Sequence, residues 1–106
     1  LAGHMCERAY QAVSNQGALG DDCMCHGTLG NAELLAAVGD NDKVRAFYCA
    51  AHSKFLEQGD WSCVGVGSER LSSLLCGTSG IGYQMLRFAA PNLVPNLLLL
   101  EARPTR

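Results

Sequence analysis

Cys25-His26-Gly27-Thr28-Leu29-Gly30-Asn31-Ala32-Glu33-Leu34-Leu35 has a degenerate second copy in Leu75-Cys76-Gly77-Thr78-Ser79-Gly80-Ile81-Gly82-Tyr83-Gln84-Met85. Gly27, Thr28 and Gly30 align with Gly77, Thr78 and Gly80, fifty residues apart. Each copy reads as a Gly-Thr-x-Gly turn that opens a helix. Glycine suits a place where backbones converge, because it brings no side chain into the contact. The free N–H groups of such a helix start favour a nearby anion, including a thiolate. A repeat of this period built from helices implies stacked units that share a core, and about three or more units are usually needed for stability. Two copies therefore suggest part of a longer array.

The segments around these turns carry helical patterns. His4 to about Gln16 places Met5, Ala9, Ala12 and Val13 on one face, with Gly17 and Gly20 stopping the helix. A second helix is expected over Thr28–Val38, with Leu34, Leu35 and Val38 as its apolar stripe. Gly39-Asp40-Asn41 breaks it, and Asp40 or Asn41 can cap the next helix. That helix, Asp42–Gln58, has the clearest period: Val44, Phe47, Tyr48, Ala51 and Phe55. So short a connection folds two helices into an antiparallel hairpin. Gly59–Ser68 reads as irregular, with room for a short strand. A fourth helix starts near Gly80, presents Ile81, Met85 and Phe88, and stops before Pro91. The apolar tail from Leu93 to Glu101, interrupted by Pro95, reads as an extended segment tucked against the helices. The fold class is all-α.

Composition removes several classes of function. The formal charge of −2 in 106 residues is unlike a nucleic-acid binder or a polybasic membrane binder. The longest strongly apolar run, Leu97 to Leu100, is far short of the roughly 20 residues that span a bilayer. No basic region followed by an apolar stretch marks a secretory signal at the start. The six cysteines, Cys6, Cys23, Cys25, Cys49, Cys63 and Cys76, stay below the about 8–10% of disulfide scaffolds. A reducing, cytoplasmic setting with free or metal-bound thiols is expected.

Cys25 and His26 are the one adjacent cysteine–histidine pair, and both are zinc-type ligands. From a turn, two neighbouring ligands can converge on one ion. Without a third ligand, a buried thiol beside a hydrogen-bonded imidazole is the alternative. Cys23 could substitute as a ligand but reads as a plain thiol. Cys76 stands where the repeat places His26; lacking an adjacent partner, it reads as a thiol rather than a second metal centre. Cys6, Cys49 and Cys63 read as buried or partly buried thiols. His4 and His52 lie on helices without ligand partners. Trp61 and Tyr83 read as packing aromatics, and Asp21-Asp22 as a solvated turn.

Cys25-His26-Gly27-Thr28-Leu29-Gly30-Asn31 resembles the Cys-His-Gly-x-x-Gly zinc motif of the lanthionine synthetase C-like family. Leu75 through Pro91 looks like that family's last glycine-led helix. Val94-Pro95-Asn96-Leu97-Leu98-Leu99-Leu100-Glu101 looks like the C-terminus of the class II, LanM-type lanthipeptide synthetases. The resemblance implies that residues 1–106 are the C-terminal portion of a cyclase domain, part of an α/α toroid around a central Zn2+. Cys25 and His26 match two of the family's three metal ligands. The upstream cysteine ligand and the upstream acid/base histidine have no counterpart here, and no catalytic residue is assigned. The implied reaction adds a cysteine thiol of a precursor lanthipeptide to dehydroalanine or dehydrobutyrine, giving a thioether. The implied enzyme is the parent protein, this stretch alone being inactive. A LanC-like module that binds a peptide or thiol without catalysis is the alternative.

Overall fold

The structure is a computed structural model and describes residues 2–18, 20–63 and 71–100. Four helices follow in order: α1 (Ala2–Gln16), α2 (Thr28–Ala37), α3 (Asn41–Gln58) and α4 (Thr78–Ala89). Among the described residues there is no strand. The all-α expectation therefore holds, with helix bounds within two residues of those read from the sequence. Residues 64–68 of the irregular segment and Glu101 of the tail lie outside the described residues.

Local chemistry explains the helix ends. The Asp40 carboxylate accepts the Lys43 backbone N–H at 3.2 Å, capping α3, and Asp42 adds a negative charge to its first turn. At the other end Gly59 adopts a left-handed conformation, φ 74°, and its N–H reaches the Phe55 carbonyl at 2.8 Å. Gly39, at φ 82°, lets the chain reverse between α2 and α3. These two helices fold back on each other and share the most extensive helix interface of the described residues.

The core lies where α2, α3 and α4 meet. Leu29, Ala32 and Leu35 from α2 pack with Phe47, Tyr48 and Ala51 from α3, Ile81 from α4, and Cys23 and Cys63 from the connections. Burying each leucine or isoleucine side chain contributes about 1.5–3 kcal/mol. The α3 face is the one its period announced. The α2 face is rotated: Val38 is exposed, Leu34 only half-buried, and Leu29, Ala32 and Leu35 take the core positions. On α1, Met5 is exposed, whereas Tyr10 and Val13 reach the core. Phe88 of α4 stacks on Tyr48 at 4.3 Å between centroids while its outer face stays exposed. Trp61 stacks on Phe55 at 4.6 Å, as a packing aromatic.

The tail is not extended. Residues 91–94 and 97–100 form turns separated by Pro95 and Asn96. A buried polar network holds them. Glu33 of α2 receives the Gln84 amide at 3.1 Å, Arg87 Nη2 at 3.0 Å and Asn96 Nδ2 at 2.8 Å. Asn96 in turn accepts the backbone N–H groups of Leu98 and Leu99. The Tyr83 hydroxyl donates to the Pro95 carbonyl at 2.8 Å. The tail thus tucks against the helices as expected, through polar groups rather than its leucines. Leu93, Leu99 and Leu100 are exposed.

Candidate metal centre

The turn before α2 is held by its own backbone. The Asp21 carbonyl accepts the Thr28 N–H at 2.9 Å, and the Cys23 carbonyl accepts the Gly27 N–H at 3.1 Å. The Asp21 carboxylate accepts the Cys23 N–H at 2.7 Å, a local side-chain turn. A Cβ on Gly27 would collide with the backbone of Cys23 and Asp21; one on Gly30 would collide with the Met24 carbonyl. Glycine is therefore required at both positions. The loop closes tightly, and Cys25 and His26 sit exposed at its crest.

The turn before α4 repeats this construction. The Leu71 carbonyl accepts the Thr78 N–H at 3.0 Å. A Cβ on Gly77 would meet Ser73 and Leu71, and one on Gly80 would meet the Leu74 carbonyl. The two turns then join directly. The Cys25 N–H donates to the Leu75 carbonyl at 2.8 Å, and Gly80 lies close against the Met24 side chain. This juxtaposition brings the Cys25 and Cys76 sulfurs and a His26 ring nitrogen within 4.8 Å of one another.

His26 also faces its own turn. Its Nδ1 lies 3.5 Å from the Cys23 sulfur and its Nε2 lies 3.5 Å from the Asp21 carboxylate. Asp21, Cys23 and His26 form a second group of potential ligands within the same 4.8 Å limit. Burial, aided by the Asp21 carboxylate, pushes the Cys23 thiol up to about 11, so Cys23 is a poor source of thiolate. Burial and the neighbouring Cys25 raise the Cys76 thiol as well.

Asp22 corrects the expectation of a solvated turn. Its side chain is fully buried. One carboxylate oxygen pairs with Lys54 of α3 at 2.7 Å, and the other accepts the Ser62 N–H at 2.8 Å. The Asp22 N–H donates to the Ser62 carbonyl at 2.6 Å. These bonds tie the first turn to α3 and to the segment after it.

The family model described as Lanthionine synthetase C-like protein matches residues 3–99. The chain belongs to that family. No curated protein and no solved structure matches it. In a lanthionine synthetase C-like chain a zinc ion is expected, and the donor set here fits one. Tetrahedral zinc with Zn–S near 2.3 Å holds two sulfurs about 3.8 Å apart. Ligand atoms within 4.8 Å need to close by only about 1 Å, which side-chain rotation at the exposed Cys25 and His26 can provide.

The other sequence candidates are scattered. His4 and His52 lie exposed on α1 and α3. Cys6 and Cys49 are exposed rather than buried, whereas Cys63 is buried as expected. Its thiol is raised by burial and donates toward the Leu71 carbonyl at 3.8 Å. From the sequence, Cys76 is the counterpart of His26 in the repeat but reads as a plain thiol, because no partner ligand is adjacent to it. What was missing was that the two turns face each other.

Proposed function

We propose that residues 1–106 form the C-terminal portion of a zinc-dependent lanthionine cyclase domain within an α/α toroid. Membership of the lanthionine synthetase C-like family supports this reading. The exposed Leu86, Leu93 and Leu99 are side chains that further helical units would cover. The observation that carries the functional assignment is the exposed Cys25–His26 pair on a glycine-built turn, within reach of a third donor.

The proposed reaction joins a precursor-peptide cysteine to dehydroalanine or dehydrobutyrine. The thiol gives up its proton, a carbon–sulfur bond forms at the β-carbon as the carbon–carbon π bond breaks, and one proton is taken up at the α-carbon, so that S–H adds across the double bond. Zinc, when bound, supplies Lewis acidity that favours the substrate thiol as its thiolate. Cys25 and His26 are the residues that would hold the ion. Asp21, beside His26 Nε2, orients the imidazole. No helix of the described residues is long and apolar enough to cross a membrane. The proposed setting is the cytoplasm, with a lanthipeptide precursor as partner.

The test is the protein carrying this chain, given a dehydrated precursor peptide, with thioether rings counted by thiol alkylation and mass spectrometry. Cys25→Ala and His26→Ala should each slow ring formation by about 100-fold or more, since even residues behind the ligands cost roughly 10–100-fold. Undiminished cyclisation by Cys25→Ala overturns the assignment.

A further inference from the structure

Cys76 has a position that neither its own turn nor the family match accounts for. It belongs to the second turn, yet its sulfur lies with Cys25 and His26 of the first, all within 4.8 Å. The contact follows from the backbone. Cys25 N–H to Leu75 carbonyl locks the residue before Cys76 against the first ligand. Gly80 against Met24 fixes the spacing of the two turns, and any larger residue at Gly80 would push against the Leu74 carbonyl.

We propose that Cys76 is a metal ligand of this chain, so that Cys25, His26 and Cys76 form a three-ligand zinc site built across two repeats. This rests on the zinc reading of Cys25 and His26. Two thiolates and one imidazole are a soft donor set suited to zinc, and they would supply three of its four tetrahedral positions from this chain. The competing group of Asp21, Cys23 and His26 is less suited. Cys23 is fully buried, and one of the two Asp21 carboxylate oxygens, Oδ1, already accepts the Cys23 N–H. Cys25 is exposed and Cys76 half-exposed, so both thiols can turn toward an ion. Asp21 then acts behind the ligands, as a carboxylate beside the imidazole.

The experiment uses the full chain under reducing conditions, loaded with Zn2+ and, separately, with Co2+. Competition against a chromophoric chelator gives affinity, and the thiolate-to-cobalt absorption counts sulfur ligands. The wild type should bind one ion with a two-thiolate spectrum. Cys76→Ser should weaken binding by at least 10-fold and leave a one-thiolate spectrum, while Cys23→Ser should change neither. In the unmutated protein, bound zinc should protect Cys25 and Cys76 together from alkylation, a readout that does not depend on any variant folding. If Cys76→Ser keeps wild-type affinity and spectrum, or Cys76 alkylates at its zinc-free rate while Cys25 is protected, the proposal is overturned and the zinc reading survives. If the wild type binds no zinc, both fail together.

Discussion

The two Gly-Thr-x-Gly turns share a backbone and differ in what surrounds them. In the first, Asp22, Cys23 and Met24 are fully buried. In the second, Ser72, Ser73, Leu74 and Leu75 are exposed. Thr28 is buried, with its hydroxyl against the Asp21 carbonyl at 3.3 Å; the second turn instead uses Ser79, which donates to the Ser72 carbonyl at 2.6 Å at the surface. One hydrogen-bonded turn can thus be a core element or a rim element. Flanking side chains make the difference, because the glycines supply only the close approach.

Substitution of the glycines should separate the two most sharply. Gly30→Ala forces a Cβ into the Met24 carbonyl, where the buried surroundings cannot give way. A loss of about 4 kcal/mol in urea unfolding is expected, the upper range for single changes. Gly80→Ala meets the Leu74 carbonyl equally closely, but Leu74 is exposed and its turn can move outward, so about 2 kcal/mol is expected. Equal losses would break the contrast.

The next largest effect concerns equivalent polar positions, Asp22 and Ser72. Asp22→Asn leaves Lys54 without its buried counter-charge and should cost about 3 kcal/mol. Ser72→Ala, at the exposed counterpart, should stay within about 0.5 kcal/mol. Chemical denaturation of both variants decides it. A small cost for Asp22→Asn would mean that the first turn is not anchored through its carboxylate.

The smallest effect lies at the far end of the α2–α3 hairpin, away from both turns. The Tyr10 hydroxyl donates to Asp40 at 2.7 Å and, with the Lys43 N–H, holds that carboxyl below its usual range. The unfolded chain then binds the proton more readily than the folded one. The Asp40 contribution is present above the unfolded carboxyl value and fades as the pH falls through the lower, folded value. Thermal midpoints between pH 6 and pH 3 should fall less steeply in Tyr10→Phe than in the wild type; parallel slopes would remove Asp40 from the account.

Much of this was legible in the residues themselves. The α3 core face, a cap at Asp40 or Asn41, both glycine turns and the adjacent Cys25–His26 pair follow from local rules: helical period, hydrogen-bond geometry and the missing Cβ of glycine. Contacts between distant residues were not. The α2 face is rotated because Glu33 is drawn inside by Gln84, Arg87 and Asn96, partners more than fifty residues away. The tail turns rather than extends because Asn96 caps its backbone while joined to the same carboxylate. By itself the sequence determined that a Gly-Thr-x-Gly turn opens a helix in each copy and that an adjacent ligand pair stands before the first. Only the tertiary structure decided that the second turn lies against the first and brings Cys76 to that pair. A repeat specifies what each unit looks like, whereas the approach of two units depends on the cores that press them together.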